Sequence, residues 1–148
     1  MLYYFVVNYF VNHLVIISFT YFVTEMIKLL AIGLGGFTGA LLRYWASGWV
    51  YSLVKSDFPS GTFAVNIAGS FILGFIIAVT DHHIIHPNLK IFLTIGLMGA
   101  FTTFSTFSYE TVMLLQVNAI FKAFLNVLLS AVVGLIAACL GLAAGKMI

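Results

Sequence analysis

Charge is so scarce in this sequence that few kinds of fold remain open to it. Six Lys/Arg and four Asp/Glu are the only formal charges in 148 residues. They leave residues 58–80 and 123–145 with none, residues 29–54 with only Arg43, and residues 91–121 with only Glu110. A soluble domain carries charge on about a quarter of its residues; at 7% this chain cannot cover a water-facing surface with ionised groups. That excludes a soluble enzyme, a disordered chain and a partner of nucleic acid. About 20 apolar residues in a helix cross the hydrocarbon core of a bilayer. The runs lack the period-two alternation of barrel strands and are too long for them. The expected fold is an all-α membrane protein with four transmembrane helices, at about 29–51, 60–80, 91–117 and 123–145.

The segments between these runs are polar. Residues 55–60 contain Pro59, and residues 81–90 hold His82, His83, His86 and Pro87, which read as turn residues in water rather than as metal ligands. Gly35-xxx-Gly39, Ser70-xxx-Gly74 and Gly141-xxx-Gly145 place small side chains one turn apart, a spacing that lets helices approach closely in lipid. The start of the chain differs. Residues 1–24 carry no charge, no Gly and no Ala, and have neither the basic start nor the cleavage site of a secretory signal. The expected organisation is an atypical hydrophobic extension over residues 1–25 and a four-helix domain over 26–148.

Lys and Arg bias between loops orients membrane proteins. With four spans, Lys28, Lys90 and Lys146 fall on one side and Arg43, Lys55 and Lys122 on the other. Three against three sets no orientation. A chain that inserts both ways can pair with itself as an antiparallel, dual-topology homodimer.

Polar groups within the spans are functional candidates because their desolvation must be compensated. Asn66, early in the second span, could bond helices together or hydrate an ion. Asn126 and Ser130 lie one turn apart in the fourth span, as a polar track or as back-bonded side chains. The third span is the most informative. Two glycines, Gly96 and Gly99, precede a run of Thr and Ser that makes a poor helix centre. A break there is tolerated only where the freed backbone lines a cavity or binds something. Freed carbonyls near Gly99 and Thr102 are hard oxygen ligands suited to a small cation. Phe104 and Phe107 share a helix face; they either pack or turn positive ring edges toward an anion. Arg43 either snorkels to the interface or concentrates anions at a pore mouth. Glu110 reads as an interfacial charge or as the partner of a lysine.

Three segments carry a family likeness. Gly35-Gly-Phe-Thr-Gly-Ala-Leu-Leu-Arg-Tyr44, Gly61-Thr-Phe-Ala-Val-Asn-Ile-Ala-Gly69 and Gly96-Leu-Met-Gly-Ala-Phe-Thr-Thr-Phe-Ser-Thr-Phe107 resemble the Fluc fluoride channels, also called the CrcB family. The likeness runs from about residue 26 to the C-terminus, with the motifs in the family's order and spacing. It implies a dual-topology homodimer of four-helix subunits with two antiparallel fluoride pores, multi-pass in the cell inner membrane. It implies a fluoride pathway through Asn66, Phe104, Ser105, Thr106, Phe107, Asn126 and Ser130, with Arg43 at the vestibule. It also implies a structural sodium ion at the dimer interface, held by the backbone carbonyls of Gly99 and Thr102. The family often has Tyr where Asn126 stands. The expected activity is passive export of fluoride, which relieves its toxicity in the cytoplasm. The competing reading is a small dual-topology, proton-coupled multidrug exporter, a class that needs a membrane-embedded carboxylate in its first helix.

Overall fold

The computed structural model describes residues 2–148, apart from the side chains of residues 2, 3, 5–8, 10 and 11. Every regular element among them is helical. Helix α1 runs Leu2–Leu53. At 1.5 Å per residue its 52 residues span about 78 Å, more than twice the roughly 30 Å of a hydrocarbon core. The chain has only two prolines, Pro59 and Pro87, so nothing within α1 removes a helical donor or blocks a preceding turn. Residues 12–24 are exposed throughout, whereas Gly35 and Gly39 are buried against the rest of the bundle. Lys28 and Glu25 form an ion pair at 2.6 Å between these two parts.

After the polar turn at 54–59, α2 runs Ser60–His82. Helix α3, Pro87–Ile91, begins with Pro87 in its first turn, where a missing N–H costs nothing, and the His86 ring accepts the Asn88 backbone N–H at 3.2 Å. A π-helical stretch, Phe92–Met98, and a short α4, Gly99–Phe101, follow. Thr102 and Thr103 then take extended angles (φ −85°, ψ 153° and φ −148°, ψ 120°). Helix α5 covers Phe104–Gln116 and α6 covers Ile120–Gly145. Asn118 turns the chain between them at φ 58°, a left-handed position that Asn tolerates. Among the described residues four helical segments are long and apolar enough to cross a membrane: Asn12–Leu53, Ser60–His82, Pro87–Gln116 and Ile120–Gly145.

The most extensive packing joins α2 to α6, and α1 to the π-helical stretch. Both contacts depend on absent side chains. A Cβ on Gly141 would strike the Phe71 carbonyl of α2, and one on Gly39 would strike the Leu97 carbonyl. Buried apolar residues are few, centred on Val65, Met98 and Phe101. Large apolar side chains such as Leu135 and Phe121 face outward, 70% and 71% exposed. This is the pattern expected where lipid, not water, is the solvent and close packing rather than hydrophobic burial joins the helices. Opposite ends of the bundle are tied by Lys90 to Asp81 at 3.2 Å and by Lys122 to Asp57 at 2.8 Å.

Candidate functional site

The site is built where α2 meets the extended pair Thr102-Thr103. The Asn66 side-chain amide donates to the Thr103 carbonyl at 3.1 Å, and its oxygen accepts the Thr103 N–H at 2.8 Å. The backbone groups of Thr103 thus have partners outside a helix, which a dry environment requires. An amide has two N–H donors, so one hydrogen of Asn66 is left uncommitted by this pairing. The Thr103 hydroxyl caps α5 by accepting the Thr106 N–H at 3.2 Å, the usual task of a Thr at that position.

These bonds have a consequence for two carbonyls. In an unbroken α-helix the Gly99 carbonyl would accept the Thr103 N–H, and the Thr102 carbonyl the Thr106 N–H. Both donors are spent instead on the Asn66 and Thr103 side chains. The carbonyls of Gly99 and Thr102 therefore lose their helical donors, four residues C-terminal to each.

Asn66, Ser70, Thr102, Phe104, Phe107 and Ser130 line one cavity of about 450 Å³. The Phe104 and Phe107 rings lie 5.6 Å apart and are tilted by 41°; Phe104 is 80% exposed. Ser70 back-bonds to the Asn66 carbonyl at 2.8 Å. Ser130 does not back-bond. Its oxygen is buried with no hydrogen-bond partner among the described residues, which leaves a donor uncommitted in the wall of a mostly apolar cavity.

The remaining sequence candidates lie elsewhere. Ser105 and Thr106 are exposed and interact through their hydroxyls with that of Thr103, at 3.2 and 3.1 Å. Thr106 and Arg43 line a second cavity, of about 200 Å³, which Thr103 also borders. Arg43 sits ten residues before the end of α1 and takes part in none of the ion pairs among the described residues. Asn126 is buried to 1% exposure and donates to the Thr111 hydroxyl at 2.8 Å, tying α6 to α5 away from the larger cavity. Gly99 lies on the surface.

Three residues emerge only in three dimensions. Thr103 is the hub just described; a Thr three residues before Thr106 is a legible cap, but its grip on Asn66 is not. The Tyr51 and Thr62 hydroxyls both donate to Glu110 Oε1 at 2.8 Å. Their partners are 59 and 48 residues away, beyond any helical period.

The comparisons agree with one another. A family model described as CrcB-like protein, Camphor Resistance (CrcB), matches residues 30–142. The chain is 48% identical over 118 residues to the fluoride-specific ion channel FluC of Geotalea daltonii, covering 79% of this chain and 95% of that protein. It is 50% identical over 105 residues to the protein of the same name from Methanocaldococcus jannaschii, covering 71% of this chain and 83% of that one. A third relative so named, from Sulfurovum, is 45% identical over 114 residues, 77% of this chain and 90% of its own length. With most of its length matched at such identity, and with four membrane-crossing helical segments, this chain belongs to the CrcB family.

Proposed function

We propose that this chain is the subunit of a fluoride channel that lets the ion leave the cytoplasm passively. The observation that carries the reading is the cavity of about 450 Å³, lined by Asn66, Phe104, Phe107 and Ser130, whose buried hydroxyl has no partner among the described residues. The names of the relatives supply the ion.

Fluoride is small and strongly hydrated, so a pore must replace its water with donors. The uncommitted amide hydrogen of Asn66, the Ser130 hydroxyl and the positive ring edges of the two phenylalanines supply donors without a full countercharge. Ser105, Thr106 and Asn126 extend the donor series, and Arg43 raises the local anion concentration at a vestibule. Lysine or arginine at every step would hold the ion too tightly; conduction needs binding weak enough to permit release. An inside-negative potential favours anion exit by about 2.3 kcal/mol per charge per 100 mV.

The assembly we propose is an antiparallel, dual-topology homodimer in the cell inner membrane. The even distribution of six basic residues supports it. So does the exposure of Phe104, which a partner subunit would cover. The third span is read as two half-helices meeting at Thr102-Thr103, with the carbonyls of Gly99 and Thr102 holding a sodium ion at the dimer interface. Carbonyl oxygens relieved of their helical donors fit a hard cation. Two oxygens from each of two copies make a fuller set than one chain has. When bound, the ion would fix the halves of the span and the two subunits in place. Residues 1–25 are read as an extension outside the channel domain, since the family match begins at residue 30.

Proton-coupled drug export is not favoured. It needs an available first-helix carboxylate, and Glu25 is paired with Lys28 while Glu110 is held by two hydroxyls. Electrogenic fluoride efflux from proteoliposomes without proton exchange is the expected result; efflux that requires a proton gradient would reject the channel reading.

A further inference from the structure

A carboxylate is an obstacle on an anion path, and Glu110 lines one cavity while bonding to a residue that lines another. It shares with Tyr51, Asp57 and Lys122 an outer cavity of about 610 Å³ at the end of the bundle. Thr62, bonded to Glu110 Oε1, lines the inner cavity that holds Arg43 and Thr106. Glu110 is also one helical turn from Thr106, on the same face. Glu110 Oε2 is buried and has no partner among the described residues, while Oε1 takes both hydroxyls.

Tyr51 is built into this place. Its hydroxyl lies 2.8 Å from Glu110 Oε1 and 3.3 Å from Thr62 Oγ1, and it also receives the Thr62 backbone N–H at 3.5 Å. Its ring lies over Gly61: a Cβ there would strike the ring, and would sit 2.6 Å from the Ser47 carbonyl. Glycine at 61 thus leaves the space the ring occupies.

We propose that Tyr51 is a positioning residue for ion passage, which with Thr62 screens the Glu110 charge so that an anion can cross from the outer cavity to the inner one. The proposal rests on the fluoride-channel reading. Hydroxyl donors on a carboxylate draw its charge into two short bonds. Without the Tyr51 hydroxyl the carboxylate keeps one donor, and like-charge repulsion of fluoride rises in a medium of low dielectric constant. The lost interaction acts on occupancy of the inner cavity.

The test is fluoride efflux from proteoliposomes over a range of fluoride concentrations, for wild type, Tyr51→Phe, Glu110→Gln and the double variant. A hydrogen bond to a charged group is worth enough for Tyr51→Phe to raise the half-saturating concentration about tenfold, with the maximal rate little changed. Glu110→Gln alone is expected to conduct at least as well as wild type, and Tyr51→Phe to have no further effect in that background. Thr62→Val, which removes the second donor, is expected to behave as Tyr51→Phe does and stands in for it if that variant does not fold. Unchanged efflux in Tyr51→Phe, equal losses in both backgrounds, or loss of conduction in Glu110→Gln would each overturn the proposal. Wild type that conducts no fluoride would instead overturn the channel reading beneath it.

Discussion

Asn66 and Thr103 exchange two hydrogen bonds, one in each direction, across 37 residues of sequence. A side-chain amide on α2 thereby takes the place of the helical partners that an extended residue in the third span has given up. The same contact sends the Thr103 N–H away from the Gly99 carbonyl, and it aims Asn66 into the cavity shared with Phe104 and Phe107. One pair of bonds therefore supports both the shape of the third span and the donor set of the proposed pore.

Replacing Asn66 by Ala leaves the Thr103 N–H and carbonyl without their partner, at a cost of about 1–3 kcal/mol for each group left unsatisfied. Asn66→Ala is expected to lower thermal stability in detergent and to abolish fluoride efflux. Asn66→Asp should do no better, because a carboxylate keeps the acceptor for the N–H but offers the Thr103 carbonyl no donor. A differential scanning melt with parallel efflux measurements checks both, and a stable Asn66→Ala protein would show that Thr103 holds its conformation unaided.

Ser130→Ala removes a hydroxyl that supports nothing else in the fold, since its oxygen has no partner among the described residues. Its melting temperature should match wild type while fluoride efflux falls several-fold, as befits one donor among several worth about 1 kcal/mol each. Ser70→Ala serves as the contrast, because that hydroxyl is committed to the Asn66 carbonyl. Equal flux in Ser130→Ala and wild type would remove this residue from the path.

Gly141→Ala forces a methyl group against the Phe71 carbonyl, where backbone rather than a flexible side chain must yield. Overpacking of this kind costs about 1–3 kcal/mol. The variant should melt lower, and Gly134→Ala, where a Cβ would meet its nearest neighbour at 3.8 Å, should not. Comparable melts for the two would show that α2 and α6 are free to separate.

The Lys122 ammonium beside Asp57 holds its carboxyl below the usual 3.8. A depressed value means that the tie contributes fully above that pH and is lost as pH falls through the lower, folded value. Asp57 is 88% exposed, so solvent and salt leave the pair little weight. Asp57→Asn is expected to melt only slightly below wild type at neutral pH and low salt, with the gap closing in acid or in high salt. A gap that widens in acid would mean that Asp57 answers to some other partner.

Much of the architecture could be read from residue order because the bilayer leaves few choices. Charge-free runs must be helices, Pro59 and Pro87 must stand at their borders, and Gly39 and Gly141 announce close approach before any neighbour is known. The likeness in residues 61–69 points to Asn66 and that in residues 96–107 to Phe104 and Phe107, and the cavity holds them together with Ser130. Contacts between spans were not legible. Nothing near Tyr51 or Thr62 in sequence signals Glu110, and nothing near Asn126 signals Thr111. A side chain's partner in another helix depends on rotation about the helix axis, which composition leaves open. The change of composition near residue 25 leaves no mark on the backbone of α1, because a helix stops only where a residue breaks it.

Fluoride movement through the purified chain in liposomes is the decisive quantity. With an ion-selective electrode and valinomycin to carry potassium, wild-type protein should release fluoride rapidly and chloride hardly at all, and Phe107→Ala should release neither. Equal passage of both halides, or fluoride efflux that survives in Phe107→Ala and Asn66→Ala, would contradict a pore lined by these side chains.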